Sequence, residues 1–364
     1  MISTLDSANV LICIGSGGVG KTTLAASLGF LAAKRGRRVL VLTIDPSQRL
    51  KTTLKLSDNG DLSILEHPNI RGKFSAAVID PKKTFDEFIT RAASQEDLAK
   101  KIIHNKLYEE LSTTLSGSQE FTALEKLYSA HESGEYDLII LDTPPTKHAI
   151  DFLNAPQKLS AIFNEGVTRW FRQTDKNSSV FINFFHAGTR QVLRALEALT
   201  GSEFMHELSE FFENIQAWQS KLEDRINSVH RLLISPKTHF CLVTSFDPAK
   251  LKEAAYFGKE IRRGGYTLSS VVINRALPSW LLQTTSQQMT HANSVTTTAL
   301  DKKFQELKNY YQERDLFYRT FTKELILEMK NEDIVFRIPE FDRDISNITD
   351  IAELAHLIEN GGLQ

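Results

Sequence analysis

The feature that most constrains the fold of this chain is the glycine-rich run of residues 15–23, Gly-Ser-Gly-Gly-Val-Gly-Lys-Thr-Thr. It fits the pattern G-x-x-x-x-G-K-[ST] of phosphate-binding loops, and its first six residues also fit the dinucleotide pattern G-x-G-x-x-G. In both patterns, glycines let the backbone approach a phosphate without a Cβ in the way. Both interpretations suit the flanks, because apolar Val10–Ile14 predicts a buried parallel strand and Thr22–Lys34 predicts the following helix.

The pair after the glycines separates the two interpretations. Lys21 would meet the charge of β- and γ-phosphates, and Thr22 would offer a hydroxyl to Mg2+, whereas a dinucleotide site needs neither. The residues predicted to bind the nucleotide form one continuous run: Gly17, Gly18, Val19, Gly20, Lys21, Thr22 and Thr23.

Apolar, β-branched runs recur along the chain with helical patterns between them, which predicts an α/β fold with a doubly wound, mostly parallel sheet. The runs are Val10–Ile14, Val39–Ile44, Phe74–Ile79, Leu138–Leu141, Phe240–Thr244, Leu268–Ile273 and a weaker Ile334–Ile338. Two helical stretches, about 84–133 and 149–233, are too long for simple crossovers. We therefore predict a single phosphate-loop domain over residues 1–364, with helical insertions that form a subdomain.

Two acidic residues follow predicted strands. Asp142, followed by Thr143-Pro144-Pro145, stands where a carboxylate suits the outer coordination sphere of Mg2+ beside Thr22. Asp45 would hold a ribose hydroxyl in a dinucleotide site, and in a hydrolase it would orient the attacking water or accept its proton. Because Asp142 and its turn have no role in the dinucleotide interpretation, the pattern favours phosphoryl transfer.

Composition removes several alternatives. A formal net charge of −2 gives no general attraction to nucleic acid. Cys13 and Cys241 lie in apolar runs and are interpreted as small buried hydrophobes, and the sequence contains no Cys-x-x-Cys pair for a zinc site. No apolar stretch approaches the ~18 residues that span a bilayer, and the first residues do not form a signal peptide. A cytoplasmic location is expected.

In their order along the chain, these segments resemble the arsenite-pump ATPases and their relatives that guide tail-anchored membrane proteins. Residues 17–23 are similar to the deviant phosphate loop of that family, and Thr43–Pro46 resembles its first switch. Ile79-Asp80-Pro81 resembles the end of its third strand, and Asp142–His148 resembles its second switch. The match spans most of the chain and is weakest in the helical insertion.

The resemblance implies ATP and Mg2+ as cofactors and assigns roles to particular residues. Asp45 would be the catalytic, water-positioning residue, acting with Lys21. Thr22 and Asp142 would bind the metal. Asn274 stands where the family recognises adenine, and Pro339 falls in the loop that covers the base.

Three departures limit the comparison. The family's signature lysine, which reaches the nucleotide of the partner subunit, should stand at position 16, where this chain has Ser16. Its loss implies slow basal turnover, a substitute cation or a partner that supplies one. Arg49 and Lys147 are the cations nearest the switches in the sequence. The alternative interpretation is that both are solvated loop residues. Asp151 replaces an arginine of the targeting branch, and the cysteines of arsenite or bridging zinc sites are missing.

Because a member of the resembled family with one phosphate loop is usually half of a dimer, the resemblance implies a homodimer or a heterodimer with a paralogue. Its switches would couple ATP hydrolysis to a helical subdomain that binds a hydrophobic client or membrane partner. Alternatives are a subunit that energises an anion or metalloid efflux pump and a nucleotide-gated scaffold with little hydrolysis. A septum- or plasmid-positioning ATPase fits least, because Ile351–Gln364 has no Lys or Arg. The insertion's aromatic residues, Phe152 and Trp218 among them, either line an apolar groove or pack the subdomain core.

Overall fold

The computed structural model describes residues 1–44, 48–57, 60–92, 99–100, 103, 118–143, 152–155, 219–276, 299–329, 334–341 and 343–360. Several residues singled out from the sequence lie outside these ranges. They are Asp45, Pro144, Pro145, Lys147, Asp151 and most of the 149–233 stretch; the side chain of Arg49 is also outside the description.

An eight-stranded sheet organises the described residues. Its strands are β1 (Val10–Ile14), β2 (Arg38–Thr43), β3 (Ser63–Leu65), β4 (Lys73–Val78), β5 (Leu138–Asp142), β6 (Thr238–Ser245), β7 (Thr267–Ala276) and β8 (Val335–Pro339). Their order is β3-β4-β2-β5-β1-β6-β7-β8, and every neighbouring pair is parallel except β3–β4. The predicted α/β class and mostly parallel sheet are confirmed. All seven predicted strands are present, and only the short antiparallel β3 was missed.

The helices connect these strands. They are α1 (Ile2–Ser7), α2 (Lys21–Lys34), α3 (Gln48–Thr53), α4 (Pro81–Ala92), α5 (Ser118–Glu132), α6 (Gln219–Leu233), α7 (Pro248–Arg263), α8 (Ala299–Met329) and α9 (Ile348–Glu359). Capping side chains determine where two of these helices begin. Asp247 caps α7 by accepting hydrogen bonds from the backbone N–H groups of Ala249 and Lys250, at 3.0 and 3.2 Å. Asn347 and Asp350 form a reciprocal capping box at the start of α9.

The main core lies between the sheet and α2, with α9 packed on α2. All five residues of β1 are fully buried, as expected for a central strand of a parallel sheet. A small residue lets α2 approach closely: a Cβ on Gly29 would stand 2.6 Å from Val41 Cγ2. The packing therefore fixes α2, and with it the loop that leads into this helix.

The chain divides into two compact units. The first comprises residues 1–79, 127–152 and 233–364 and contains the sheet, whereas the second comprises 80–126 and 153–232. In the second unit, the rings of Phe88 and Phe121 meet edge to face at 5.2 Å. Phe152, one of the aromatic residues considered for a groove, is fully buried, which favours core packing for this residue. Among the described helices, none is long and apolar enough to cross a membrane.

Candidate nucleotide-binding site

The candidate site lies at one edge of the sheet. Because β1 is parallel to both of its neighbours, β5 and β6, the carboxyl ends of these strands meet at the same edge. The glycine-rich loop leaves β1 there and enters α2, and Asp142 ends β5 beside it. Ligands of open α/β sheets bind at this edge, where neighbouring connections diverge.

Close contacts of the backbone explain two of the glycines. A Cβ on Gly15 would lie 2.1 Å from the carbonyl oxygen of Val243 on β6, so only glycine fits there. Gly20 has φ 89°, in the left-handed region, and a Cβ on it would lie 2.3 Å from Asn274 Nδ2. Gly18 also has positive φ, 75°, but faces open space. The loop is thus held tightly at both ends and open between them.

Lys21, the first residue of α2, lies back against this loop. Its ammonium donates a hydrogen bond to the carbonyl oxygen of Ser16 at 3.0 Å, and the residue is only 7% exposed. Burial lowers the pKa of Lys21 below its usual range, and the nearby Asp142 carboxylate partly opposes that shift. A buried cation at a helix N-terminus is suited to an anion with several charges.

Asp142 is held by the strand on its other side. The hydroxyl of Thr43, the last residue of β2, donates to Asp142 Oδ2 at 2.8 Å, and the carboxylate is buried. The next residue, Thr143, donates through its hydroxyl and its N–H to the carbonyl oxygen of Cys13, at 2.9 and 3.2 Å. These bonds hold the start of the predicted second switch against the strand that carries the loop.

The two cysteines lie directly below the loop. Cys13 and Cys241 are register partners on β1 and β6, and both are free and fully buried. The Cys241 thiol and burial raise the pKa of Cys13 well above its usual range. The interpretation of both residues as small buried hydrophobes is confirmed.

The predicted adenine residues lie near the ends of the neighbouring strands β7 and β8. The carboxamide of Asn274 donates through Nδ2 to the carbonyl oxygen of Val19 in the loop, at 2.9 Å. Pro339 ends β8 opposite Ala276, and the N–H of Glu340 donates to the carbonyl oxygen of Ala276 at 3.2 Å. The structure thus brings Asn274 to the loop itself, and places Pro339 on the strand beside it.

Two charged residues of this region had no role in the sequence-based prediction. Lys250 and Glu253, in the first turns of α7, act on Lys21 in opposite directions, since Lys250 lowers its pKa and Glu253 raises it. Their effect depends on β6 lying beside β1, which no local pattern reveals. The sequence-based prediction named Thr43 only as part of the first switch. Like Asp142, Thr43 is a polar residue at the end of an apolar strand, and this position could have identified it as a site residue.

The residues present fit a nucleoside triphosphate with Mg2+. The backbone approaches closely at Gly15 and Gly20, and the N-terminus of α2 with Lys21 supplies positive charge. Thr22 and Asp142 supply hydroxyl and carboxylate oxygens, the donor types that Mg2+ prefers beside phosphate.

The sheet, its central strand and the loop that joins this strand to α2 define an α/β phosphate-loop nucleotide-binding fold. The family model of the anion-transporting ATPases (ArsA) matches residues 8–330, and the chain belongs to this family. The resemblance noted in the sequence is confirmed. The family is one of ATPases.

Individual relatives are named either as ASNA1 or GET3 ATPases or as arsenical pump-driving ATPases. The chain is 28% identical over 269 residues to ATPase ASNA1 homolog 1 of Paramecium tetraurelia, covering 72% of the chain and 73% of that protein. It is 22% identical over 354 residues to candidate arsenical pump-driving ATPase 1 of Aquifex aeolicus, covering 96% and 78%. It is 26% identical over 285 residues to ATPase GET3B of Arabidopsis thaliana, covering 72% and 63%.

Proposed function

We propose that this chain binds ATP with Mg2+ and hydrolyses it, as one subunit of a homodimer or of a heterodimer with a paralogue. One observation carries the proposal. In a member of an ATPase family, a tightly built glycine loop, the buried ammonium of Lys21 and the buried carboxylate of Asp142 meet at the carboxyl edge of the sheet.

The roles of the loop residues follow from their chemistry. The N–H groups of residues 17–23 bind phosphate oxygens, and Lys21 exchanges the Ser16 carbonyl for the β- and γ-phosphates. Thr22 and Asp142 hold Mg2+, which neutralises phosphate charge when bound. Asp45, outside the described residues, orients the attacking water. Asn274 and Pro339 bind the adenine.

The residue at position 16 bears on whether the protein hydrolyses ATP or acts as a nucleotide-gated scaffold. The Ser16 hydroxyl is neutral and the residue is 5% exposed, so position 16 supplies no cation to a partner's nucleotide. We expect slow basal turnover that rises when another subunit or a client supplies the missing charge, because such charge is worth about 10³–10⁵ in rate in related enzymes. A nucleotide-gated scaffold with little hydrolysis is the second candidate.

Two variants distinguish these candidates. Lys21→Ala should weaken ATP binding strongly, whereas Asp45→Asn should keep binding and lose hydrolysis. Steady-state phosphate release, ATP titration and the mass of the assembly would be measured for each, alone and with any paralogue. Hydrolysis by the wild type at the rate of Asp45→Asn under all conditions would reject the enzyme and leave the scaffold.

We further propose that the nucleotide state controls a hydrophobic client or membrane partner through the second unit. Chain connectivity supports this: the chain passes from Ile79, just after β4, into that unit at Asp80, and from the segment after Asp142 into it at Leu153. Both segments follow strands of the nucleotide edge. Photo-crosslinking to an apolar helical peptide should then change between ATP and ADP, and equal yields in both states would contradict the coupling.

The similarity to a candidate arsenical pump-driving ATPase over 96% of the chain supports a third candidate, the energising of an anion or metalloid efflux channel. The chain's two cysteines, Cys13 and Cys241, are fully buried below the loop. A thiol-bound metalloid therefore has no accessible ligands, which favours another anion. Turnover stimulated by arsenite or antimonite would overturn that preference and support a metalloid pump.

A further inference from the structure

Asn274 contacts the phosphate loop directly, at Val19 and at Gly20. Its Nδ2 donates to the carbonyl oxygen of Val19 at 2.9 Å, a link between residues 255 positions apart. Val19 is 1% exposed and Asn274 is half-buried, so the bond is partly protected from competing water. A partly buried amide–carbonyl bond contributes more to local order than a fully exposed one.

The orientation of this carboxamide is fixed at its other end. Asn274 Oδ1 accepts a hydrogen bond from the N–H of Arg275 at 3.0 Å. Arg275 has φ 53°, an unusual left-handed conformation for a residue with a side chain. If the amide were turned over, an oxygen would face the Val19 carbonyl and an NH2 group would face a backbone N–H. Both contacts would be repulsive, so the amide nitrogen must face the loop.

The backbone of Asn274 is anchored as well. It lies opposite Ser245 in the β6–β7 register, and its carbonyl oxygen accepts from the N–H of Phe246 at 3.1 Å. The carboxamide also fills the space where Gly20 would carry a Cβ, which would approach Nδ2 to 2.3 Å. Gly20 is the N-cap of α2 and is followed by Lys21. Strand β7 thus places the carboxamide of Asn274, a hydrogen-bond donor, in contact with Gly20, where the loop becomes helix α2.

We propose that Asn274 is a positioning residue for the phosphate loop, which it holds at Val19 and Gly20, so that the adenine side and the phosphate side of the site are built as one piece. This role is distinct from contact with the base, and its nucleotide part rests on the proposed ATP binding. Removing the carboxamide loosens the loop in the absence of any ligand. It then weakens binding of the phosphates whatever base they carry.

The first test needs no ligand. Hydrogen exchange of the loop amides in Asn274→Ala should be on the order of tenfold faster than in the wild type, as expected for the loss of about 1.4 kcal/mol. Exchange in β1 and β5 should stay unchanged, which would separate a local effect from general destabilisation. Wild-type exchange in the loop of a folded Asn274→Ala protein would overturn the proposal, whether or not ATP binds.

The second test uses Mg-ATP and inorganic Mg-tripolyphosphate as probes. Asn274→Ala should weaken tripolyphosphate binding on the order of tenfold, and ATP binding by at least that factor, because the proposed contact with the adenine is lost as well. If only ATP binding fell, Asn274 would be a base contact alone and the proposal would be wrong. A wild type that binds neither probe would instead reject the proposed function, and the exchange test would still decide on positioning.

A double-mutant cycle distinguishes loss of the contact between Asn274 and Gly20 from general destabilisation of the variant. Gly20→Ala places a methyl group against the Asn274 carboxamide, so adding Asn274→Ala should relieve part of its cost in loop exchange and melting temperature. Gly18→Ala is the matched control, since Gly18 also has positive φ but has no atom within 4 Å of its Cβ position. Its effect should add to that of Asn274→Ala. Strict additivity for Gly20→Ala as well would contradict the inferred contact.

Discussion

Thr43 and Asp142, the last residues of the adjacent strands β2 and β5, are register partners joined by a 2.8 Å hydrogen bond between buried groups. Thr43→Val keeps the side-chain shape but leaves the carboxylate without this donor. We expect a loss of about 1–3 kcal/mol in unfolding free energy and a higher Mg2+ requirement for ATP hydrolysis. Thr43→Ser keeps the hydroxyl and should resemble the wild type. Equal behaviour of the two variants would show that the hydrogen bond is unimportant.

Gly15 should be far less tolerant of alanine than another glycine of the same unit. A Cβ at Gly15 would press on the backbone oxygen of Val243, which cannot move without displacing β6, so we expect Gly15→Ala to cost at least about 2 kcal/mol. Gly36 has φ 96° and an empty surrounding, so its replacement should cost about 1 kcal/mol from backbone strain alone. Urea unfolding midpoints measure both, and a Gly15→Ala variant as stable as Gly36→Ala would argue against the tight contact.

Glu125 forms a buried ion pair in the described part of the second unit. Its buried carboxylate accepts hydrogen bonds from Arg225 at 2.7 and 3.0 Å. Because Glu125→Gln leaves the partly buried guanidinium without its counter-charge, we expect a loss of about 3–5 kcal/mol. Glu87→Gln, which affects the more exposed pair with Lys126, should cost at most about 1 kcal/mol. Thermal unfolding of the two variants gives the comparison, and similar losses would contradict it.

Asp350 predicts a pH dependence of stability. Hydrogen bonds from the N–H groups of Ser346 and Asn347, opposed by partial burial, hold the pKa of the Asp350 carboxyl below its usual range. A carboxyl with a depressed folded-state pKa stabilises the fold above its unfolded pKa, near 3.8, and loses this effect as the pH falls through the folded value. Unfolding free energy measured from pH 6 down to 3 should fall less steeply in Asp350→Asn than in the wild type. Parallel curves would remove Asp350 from the acid response.

The thiols of Cys13 and Cys241 should be inert in the native protein. Complete burial keeps both thiols from the reagent, although the hydrogen bond between them raises the pKa of Cys13 and lowers that of Cys241, so labelling by an aromatic disulfide reagent requires opening of the sheet. We expect labelling to be slower than in denaturant by orders of magnitude and to follow the unfolding rate. A native labelling rate that stays the same when dilute urea lowers the free energy of unfolding would mean that the thiols are reachable without opening.

Much of the fold was readable from local patterns. The run Val10–Ile14 is β1 at both bounds, because a central parallel strand is apolar along its whole length. The three-residue β3 was missed, since Ser63–Leu65 is too short to show a period. The stretch 149–233, predicted to be helical, is helical where α6 is described, and Ile226 and Val229 of this helix are both buried. Strand order was not predictable, because it depends on contacts between distant segments.

The candidate site likewise combines features that the sequence predicts with features that only the fold reveals. The spacing of residues 15–23 predicts the loop, and a terminal acid predicts Asp142 beside it, because parallel strands align their ends. The hydrogen bond from Asn274 to Val19 and the charges of Lys250 and Glu253 around Lys21 arise only once β6 and β7 lie beside β1. The catalytic role of Asp45 and the roles of the other site residues stay predictions.

The contact between Gly20 and Asn274 also constrains how this chain can diverge. A Cβ at position 20 and a carboxamide at position 274 compete for the same space, so position 20 cannot gain a side chain while 274 keeps its carboxamide. A larger residue at 20 is strained by the positive φ in any background, and it escapes the clash only where 274 has already become small and has lost its hold on Val19. Among descendants of this sequence the two positions should therefore be inherited as a pair, although more than 250 residues separate them along the chain.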